Sequence, residues 1–397
     1  MNKTKVTPES WVVRQPQKLQ TEKKKISVEE EDPFFDQIKY FLYVCRLLGR
    51  LPFERTKSGG FMFQLCSPVM VFTILMNAVQ IYLTYQVYFI NLTTLFSKNE
   101  SYDDGVKLVL MVVILNVHFY AWVFVLIETG NISEYLNHWQ QFNKKHKYLL
   151  KGLPSMKRQM LWLVLFLFIV IAVLTVTETQ YLLKGLPWYC SIPYFTVAYH
   201  ISVGNLHWYI NCIIFARMGT ELIEQLVKVL KNNTEFEEVH SVRCVWQKLN
   251  SLVKECHRTH ANSVYYCLGI SFISFTLASY GTLTGLLEKS ANNLFSYIIP
   301  LLFFVVIIYI CCDGPHRLHN KLGFEMINTL LACKMRHLKK ETQQEIEMFL
   351  DIIEADPPVI SIKGYFILNR QIFTAAVSTA VTYLVVLVQF KISSITT

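Results

Sequence analysis

Residues 298–312 read IIPLLFFVVIIYICC, and residues 160–174 read MLWLVLFLFIVIAVL. Each stretch is apolar around its whole circumference, whereas an amphipathic helix of a soluble protein has a polar face beside an apolar stripe. Residues of the types AVILMFWYC make up 52% of the 397-residue chain, charged residues make up 17%, and the mean hydropathy is +0.31. This composition is typical of a membrane protein, and it excludes disordered, collagen-like and small disulfide-rich chains.

Working outward from these two stretches, the sequence predicts an all-α polytopic membrane protein with seven transmembrane helices, since a bilayer core needs about 20 apolar helical residues per span. A polar tail, residues 1–33, and an amphipathic pre-span segment, residues 34–61, precede the spans, and the tail has no apolar core typical of a signal peptide. Within the pre-span segment, residues 34–53 are expected to form a membrane-surface helix whose apolar face contains Phe34, Ile38, Phe41, Leu42 and Cys45. The predicted spans are residues 62–90, 106–128, 159–180, 191–216, 262–284, 294–312 and 366–390, followed by a short tail, residues 391–397.

Basic residues are divided unequally between the two sides of this layout. The segments on the side of the N-terminus contain 32 Lys and Arg residues, and those on the other side contain 4. Because Lys and Arg accumulate in cytoplasmic loops, we expect a cytoplasmic N-terminus and an extracellular C-terminus. The net charge of +9 therefore reflects orientation, and no basic patch is left that would indicate a nucleic-acid partner.

Glycosylation sequences fit the same layout. Asn91 and Asn99 begin N-x-S/T sequences in the first outside loop and are candidate glycosylation sites, whereas Asn131 and Asn232 fall inside. Of the ten Cys residues only Cys190 lies near the outside face, so an extracellular disulfide within one chain is not expected.

Sequence patterns that carry catalysis are absent: there is no nucleotide-binding glycine motif, no nucleophile elbow, no H-E-x-x-H and no acid placed centrally in a span. We therefore expect no enzyme activity and no cofactor. Two groups of Cys and His lack the paired spacing of a zinc site, and ordinary packing at the membrane interface is the favoured interpretation. They are Cys311, Cys312, His316 and His319, and Cys256, His257 and His260.

The segments predicted on the cytoplasmic side have helical periodicity of their own. Residues 219–231 and 242–256 continue the fourth and fifth spans, and residues 339–354 form an amphipathic helix that ends before Pro357. These helices predict cytoplasmic anchor regions at about residues 217–261 and 313–360. Their apolar faces are expected to pack either within one chain or between subunits, and the sequence leaves both open.

The last span carries a polar stripe. Thr374, Ser378, Thr382 and Gln389 are spaced so that they lie along one side of a helix with about 3.6 residues per turn, and Val385 and Val386 fill the gap in that line. Small polar residues of this kind are typical of close helix packing in membranes. A polar stripe with an apolar break also suits a pore that is lined by one helix per subunit.

The same helix carries a family resemblance. Thr382-Tyr383, five apolar residues and Gln389-Phe390 resemble the TY-hhhhh-QF signature of insect gustatory receptors, where h is apolar, and residues 47–52 (LLGRLP) are similar to an LLGhhP-like motif of that family. Seven spans, a cytoplasmic N-terminus and a length near 400 residues also match. Sweet-taste receptors for disaccharides usually have an acidic residue after Thr-Tyr, and Leu384 stands there, which points to the bitter-type or fructose-type branches.

The resemblance implies a ligand-gated cation channel in the plasma membrane of a sensory neuron, built as a homotetramer or a heteromer with related subunits and opened by a small-molecule tastant. The four last helices would line the pore, with Gln389 and Phe390 at the gate, Val385 and Val386 deeper, and Tyr383 packed away from the axis. Residues 62–365 would form the ligand-binding bundle and its anchors. Ten residues have suitable chemistry and depth to bind the ligand, and for each of them hydrogen bonding inside the bundle is the alternative role. They are Asn116, His118, Thr177, Glu178, Gln180, Tyr194, Tyr199, His200, Tyr280 and Tyr297.

Three alternatives remain at this stage. An odorant receptor channel of the same superfamily is close, although the tail motif favours taste. A G-protein-coupled receptor has the opposite orientation, and the D-R-Y and N-P-x-x-Y motifs are missing. A transporter would often show internal repeats or charges at the midplane, which the sequence lacks.

Overall fold

The computed structural model describes residues 33–47, 49–56, 59–95, 102–146, 157–177, 179–180, 187–231, 236–288, 291–333, 335–362, 364 and 366–396. The helices are α1 (Pro33–Leu47), α2 (Pro68–Leu95), α3 (Tyr102–Leu115), α4 (Val117–His146), α5 (Lys157–Thr177), α6 (Ser191–Lys231), α7 (Phe236–Leu287), α8 (Ala291–His319), α9 (Met326–Leu331), α10 (Lys340–Ala355) and α11 (Arg370–Thr396). Two short hairpins pair β1 (Phe53–Arg55) with β2 (Phe61–Phe63) and β3 (Ser361–Ile362) with β4 (Phe366–Ile367). The predicted all-α class is confirmed, while residues 1–32 of the predicted tail lie outside the described residues.

Membrane-crossing helices are recognisable by length and hydropathy. Within the described ranges, four stretches are long and apolar enough: Pro68–Thr93, Gly105–Phe124, Phe236–Leu287 and Leu294–Leu331. Shorter apolar helices occur at Val164–Thr177 and Arg370–Val386. The predicted span 191–216 lies in α6, which is more polar. The count of seven spans and the sides of the two termini stay predictions.

Helix α6 can carry polar side chains because it lies at the centre of the bundle. Most of its residues from Pro193 to Gly219 are buried, so its side chains meet other helices. Its polar groups are satisfied there: the side-chain amides of Asn205 and Asn211 donate to the carbonyls of Ile201 and His207, at 2.7 and 2.8 Å. A central helix can therefore carry His and Asn at depths where a lipid-facing helix could not.

The segment before α2 differs from the prediction. Ile38, Phe41 and Cys45 of α1 are at most 6% exposed, and the Phe41 ring lies 5.4 Å from the His207 ring of α6. The apolar face of α1 therefore packs on the bundle rather than on lipid, and the position of the helix at the membrane surface stays a prediction. The side chain of Phe34 lies outside the described residues.

A β-hairpin follows α1 where the sequence predicted the end of one helix and the start of the next. Gly49, with φ of 77°, turns the chain after α1, and β1 pairs antiparallel with β2. The side chain of Asn137 on α4 holds β2 by accepting from the Phe61 amide at 2.7 Å and donating to its carbonyl at 2.8 Å. Helix α2 begins at Pro68 rather than at residue 62, since the Ser67 hydroxyl accepts from the Met70 amide at 3.2 Å as an N-cap.

The second predicted span, residues 106–128, is interrupted at Asn116, between α3 and α4. The Asn116 side chain donates to the Val112 carbonyl at 2.9 Å, and the Tyr266 hydroxyl donates to the Asn116 carbonyl at 3.1 Å. The Asn116 carbonyl also accepts from the Phe119 amide at 3.2 Å, so the break is a tightened turn in which the Asn116 amide and the Tyr266 hydroxyl share backbone carbonyls with the helix. Helix α4 then continues to His146, well past the predicted end of the span.

Long helices connect the bundle to an anchor region. At about 1.5 Å per residue, the 52 residues of α7 span roughly 78 Å, against about 30 Å for a bilayer core. Beyond the membrane part, Trp246 of α7 donates to the Leu322 carbonyl at 2.9 Å and packs edge-on against Phe349 of α10, with ring centroids 5.7 Å apart. Ile346, Phe349 and Ile353 are at most 1% exposed in the single chain. The apolar face of α10 is therefore buried within one chain.

Helix α11 begins later than predicted. The hairpin of β3 and β4 turns at Gly364, whose φ is 82°, and occupies the positions where the last span was expected to start. The Asn369 side chain then accepts from the Gln371 amide at 2.9 Å, which caps α11. The predicted start at residue 366 is four residues early, and the helix continues to Thr396, past the predicted end at residue 390.

Candidate pore helix and ligand site

Helix α11 has two different faces. Ile372, Phe373 and Val377 pack against the core, and Ala380 is 2% exposed. With 3.6 residues per turn, these positions lie on the side of the helix opposite to the predicted polar stripe. All six stripe positions are exposed in the single chain: Thr374, Ser378, Thr382, Val385, Val386 and Gln389.

Hydroxyl groups along the stripe bond to their own helix. Thr382 donates to the Ser378 carbonyl at 3.2 Å, and Thr374 donates to the Gln371 carbonyl at 2.8 Å. Such bonds leave the oxygen lone pairs on the exposed surface, where they face whatever lies beside α11. Tyr383 lies on a third side of the helix and is 54% exposed. The side chain of Phe390, the other predicted gate residue, lies outside the described residues.

Several residues of the predicted ligand set come together between α2, α4 and α6. His118 Nε2 lies 2.9 Å from the Pro193 carbonyl oxygen and 3.0 Å from the Thr196 hydroxyl. His200 Nε2 lies 2.9 Å from Gln80 Oε1, and the His118 and His200 rings meet edge to face at 5.9 Å. His118 Nε2 and His200 Nε2 thus have hydrogen-bond partners within the bundle, whereas the buried Nδ1 of His200 has none among the described residues.

Asn91 belongs to the same region. Its side chain is 2% exposed and donates to the Tyr194 hydroxyl at 2.9 Å. An asparagine that is buried inside α2 does not offer its amide to a glycosylating enzyme, so this placement disfavours Asn91 as a glycosylation site. The second candidate, Asn99, lies outside the described residues.

The other predicted ligand residues are dispersed. Tyr199 is fully buried and donates to the Val44 carbonyl, Thr177 donates to the Val173 carbonyl at 2.8 Å, and Gln180 is exposed. Tyr280 and Tyr297 are buried between α7 and α8, away from the His118 cluster. The Asn116 side chain donates to a backbone carbonyl at the break between α3 and α4, as described above. Glu178 lies outside the described residues.

An apolar cavity between α5, α6 and α8 is absent from the sequence-based set. Its volume is about 320 Å³, at the lower end of the range of about 300–1,000 Å³ typical of ligand pockets. Ser202 and Asn205 are its polar residues, and among the described residues the Ser202 hydroxyl has no hydrogen-bond partner. The apolar wall consists of Phe166, Leu167, Ile169, Val170, Val173, Leu174, Leu206, Ile299, Leu302, Phe303, Val306, Ile307 and Ile310.

The sequence offered little to find this cavity. Its wall comes from the same apolar stretches that predict the spans, and periodicity does not separate a wall residue from a lipid-facing one. Ser202 looked like any small residue in a membrane helix. The search for ligand residues favoured polar and aromatic side chains, whereas the open space lies mostly between aliphatic ones, with Phe166 and Phe303 as its aromatic residues.

A smaller polar cavity lies where the α1–β1 turn meets α4, α6 and α7. Its volume is about 30 Å³, which is room for about two water molecules. Glu128 is 6% exposed there and accepts from the Ser263 amide at 3.0 Å, while His260 Nε2 lies 3.2 Å from His207 Nδ1. Arg50 lines the same space and donates to the His200 carbonyl. The sequence placed Glu128 at the end of a span and gave no sign of this cluster.

No group of three or more His, Cys, Asp or Glu is placed to hold a metal ion within the part of the chain that the structure describes. All ten cysteines are free, and the Cys311 thiol donates to Asn205 Oδ1 at 2.5 Å. In the middle of α7, His260 Nδ1 lies 2.9 Å from the Cys256 carbonyl oxygen, so this Cys and His group also has hydrogen bonds within the bundle.

Known proteins resemble the chain along nearly its whole length. The profile of the family described as 7tm Chemosensory receptor matches residues 38–394. Gustatory and odorant receptor 22 of Anopheles gambiae is 25% identical over 381 residues, which cover 92% of this chain and 80% of that receptor. Gustatory and odorant receptor 21a of Drosophila melanogaster is 23% identical over 396 residues, which cover 93% and 83%.

A solved structure has the same fold. The insect olfactory receptor OR5 from Machilis hrabei, in complex with eugenol, superposes with a TM-score of 0.70 at 12% identity and covers 91% of this chain and 100% of OR5. These relatives are chemosensory receptors and not enzymes. The match of the family profile over residues 38–394 includes the bundle, the anchor region and the last helix: the chain belongs to the 7tm chemosensory receptor family, and the resemblance to insect gustatory receptors that its last helix carries is confirmed.

Proposed function

We propose that this protein is a gustatory receptor that acts as a ligand-gated cation channel, with the α11 helices of four subunits around a central pore. The observation that carries the proposal is the exposed face of α11, which bears Thr374, Ser378, Thr382 and Gln389 opposite the face that packs on the bundle. By contrast, the exposed side chains of α2 and α5 include Leu75, Val79, Tyr82, Leu161, Trp162 and Leu165, as expected of a lipid-facing surface.

Hydroxyl and amide oxygens facing lipid would be unfavourable, so the exposed face of α11 needs another environment. A water-filled lumen shared by several subunits provides one, and oxygens along it suit the passage of cations. The family resemblance supplies the number four, the location in the plasma membrane of a sensory neuron and the gate at Gln389 and Phe390. A ring of Phe390 side chains would close the pore by excluding water from a narrow apolar constriction.

We propose the apolar cavity between α5, α6 and α8 as the ligand site. Its wall favours a small, mostly apolar molecule with one hydrogen-bonding group that pairs with the Ser202 hydroxyl, and eugenol, which OR5 binds, has this character. A sugar with many hydroxyl groups would leave most of them unpaired there. The proposal therefore favours a bitter-type tastant over a fructose-like sugar.

Whole-cell recording from cells that express this chain alone tests the channel. Sucrose, fructose, caffeine, quinine and eugenol form a suitable panel, and a ligand-evoked cation current is expected for an apolar member. Phe390→Ala should give current without ligand, because the constriction is lost. Wild-type and Phe390→Ala cells without any current above background would overturn the channel.

The ligand site has a matched pair of variants on α5. Val173 lines the cavity and is 49% exposed, whereas Val176, one turn away, is 55% exposed and does not line it. Val173→Trp should raise the half-maximal ligand concentration by about tenfold or more, equivalent to about 1.4 kcal/mol of binding, and Val176→Trp should leave it unchanged. Equal effects of the two substitutions would contradict the proposal that the ligand binds in this cavity.

Ser202→Ala provides a second comparison. Ser274 on α7 is also buried with an unpaired hydroxyl among the described residues, but it does not line the cavity. Loss of a hydrogen bond between the ligand and Ser202 predicts a weaker response in Ser202→Ala alone, with Ser274→Ala close to wild type.

A further inference from the structure

Asp313 connects two helices that the proposed mechanism needs to move together. It lies near the end of α8 with a fully buried side chain, and Arg370, the first residue of α11, donates to its Oδ1 through Nε at 2.9 Å and Nη2 at 2.6 Å. Arg317, one turn along α8, donates from Nε to Oδ2 at 2.6 Å. The hydroxyls of Tyr209 and Tyr309 lie 3.5 and 3.3 Å from the two carboxylate oxygens.

A second contact lies one turn away from the ion pair. The Tyr309 ring of α8 meets the Phe373 ring of α11 edge-on, with centroids 5.7 Å apart and planes at 83°. Tyr309 precedes Asp313 by one turn on α8, and Phe373 follows Arg370 by one turn on α11. The two helices are therefore joined at two successive levels, and a rotation of either one would break both contacts.

The same α8 helix forms one wall of the apolar cavity. Ile299, Phe303 and Ile307 line that space, and Ile310 is the last wall residue before Asp313. Between the wall residues from Phe303 to Ile310 and Asp313 the helix contains no proline, so a ligand that displaces this wall would also displace the end of α8 that is bonded to the start of α11. The path from the cavity to the pore helix thus consists of α8, the ion pair of Asp313 with Arg370 and the ring contact of Tyr309 with Phe373.

We propose that the Arg370–Asp313 pair is the coupling element that transmits movement of α8 to the pore helix, so that Arg370 is a positioning residue for gating. This inference rests on the proposed function, since it assigns a role within the channel. Both donors of Arg370 converge on one buried oxygen, which fixes the direction of approach of the first turn of α11. Arg317 neutralises the same carboxylate and, among the described residues, forms no hydrogen bond or ion pair with α11.

Arg317 is therefore a matched control. The side chains of Arg317 and Arg370 are 50% and 47% exposed, and each donates to Asp313. In Arg370→Gln the carboxylate keeps Arg317, and in Arg317→Gln it keeps Arg370, so neither variant leaves a buried charge without a cation. Only Arg370→Gln removes the ionic contact between α8 and α11.

Hydrogen–deuterium exchange of the purified receptor gives a readout that needs no ligand. Arg370→Gln should speed amide exchange in residues 370–380 by about tenfold or more relative to wild type, equivalent to about 1.4 kcal/mol of local opening. Arg317→Gln should change that segment little, Arg370→Lys should lie between, and α6 should exchange as in wild type in all three variants.

Recording with the strongest agonist among sucrose, fructose, caffeine, quinine and eugenol tests whether the Arg370–Asp313 pair contributes to gating. Arg370→Gln should lower the maximal evoked current per receptor at the surface at least about fivefold, with partial recovery in Arg370→Lys and a near-normal response in Arg317→Gln. Equal loss in Arg370→Gln and Arg317→Gln, or unchanged exchange in residues 370–380, overturns the coupling. If neither wild type nor Phe390→Ala gives any current, the proposed channel is overturned instead. The exchange experiment then reports only whether the Arg370–Asp313 pair holds the start of α11 against α8.

Discussion

At the scale of single residues, Gly281 shows why a membrane helix keeps a glycine. A Cβ atom built on Gly281 would lie 2.3 Å from Cδ1 of the Tyr297 ring, which packs directly on the α7 backbone. A contact this short forces the ring or the helix to move. Gly269, on the same helix, has nothing within 4 Å of such an atom.

These two glycines give a paired prediction. Gly281→Ala should destabilise the receptor by about 1–3 kcal/mol through overpacking between α7 and α8. Gly269→Ala should be neutral or stabilise it by up to about 1 kcal/mol, because alanine favours helix. The midpoint of thermal unfolding in detergent, measured for both variants beside wild type, checks the difference. Equal midpoints for the two variants would show that Tyr297 does not hold α8 against Gly281 in this way.

Individual residues also show what the sequence could and could not predict about the site. The stripe on α11 could be predicted, because six positions on one helix share a face whatever surrounds that helix. The roles of Tyr199 and His200 could not, because their partners are the Val44 carbonyl and Gln80, far away in the sequence. Depth and chemistry brought these residues into the ligand set, and only the packing of α1 and α2 on α6 shows that the Tyr199 hydroxyl and the Nε2 atom of His200 already have partners within the bundle.

At the scale of elements, α10 determines how the anchor region is built. Phe349 is fully buried against Trp246, whereas its neighbour Met348 is 46% exposed. Phe349→Ala should destabilise the receptor by about 3–5 kcal/mol, because it leaves a cavity between α7 and α10. Met348→Ala should change stability by about 0.5 kcal/mol or less.

Limited proteolysis and thermal unfolding of the two variants measure this prediction. Phe349→Ala should expose cleavage sites between residues 332 and 360 and lower the unfolding midpoint, and Met348→Ala should match wild type. A Phe349→Ala receptor that stays as resistant as Met348→Ala would mean that α10 is held by contacts other than this apolar face.

Elements differ in how well periodicity predicts them. Helices α6, α7 and α10 were predicted because 3.6-residue periodicity continues for many turns, even outside the bilayer. The two hairpins were missed, since strands of two or three residues are too short to show alternation, although Gly59 and Gly364 mark their turns. The face of α1 was recognised as apolar, but an apolar face alone cannot distinguish a membrane surface from the side of α6.

At the scale of the whole molecule, the surface of the bundle divides by chemistry. Exposed faces of α2 and α5 are apolar, the exposed face of α11 mixes hydroxyls with valines, and the interior holds ionisable groups around a small cavity. The same division explains why composition predicts the class of protein but not the ligand. Apolar residues serve lipid contact, helix packing and the cavity wall alike, and only their arrangement in space separates these uses.

Orientation is the prediction that concerns the molecule as a whole. The 32-to-4 division of Lys and Arg predicts a cytoplasmic N-terminus, and the predicted odd number of spans then implies a C-terminus outside. In intact cells, an antibody should reach an epitope tag after Thr397 but not one before Met1, and permeabilisation should make both accessible. Surface biotinylation of the same cells controls for delivery to the plasma membrane. If both tags lie on the same side of the membrane, the number of spans is even. If the antibody reaches only the N-terminal tag in intact cells, the orientation is the reverse of the predicted one, and the proposed gate at Gln389 and Phe390 faces the cytoplasm.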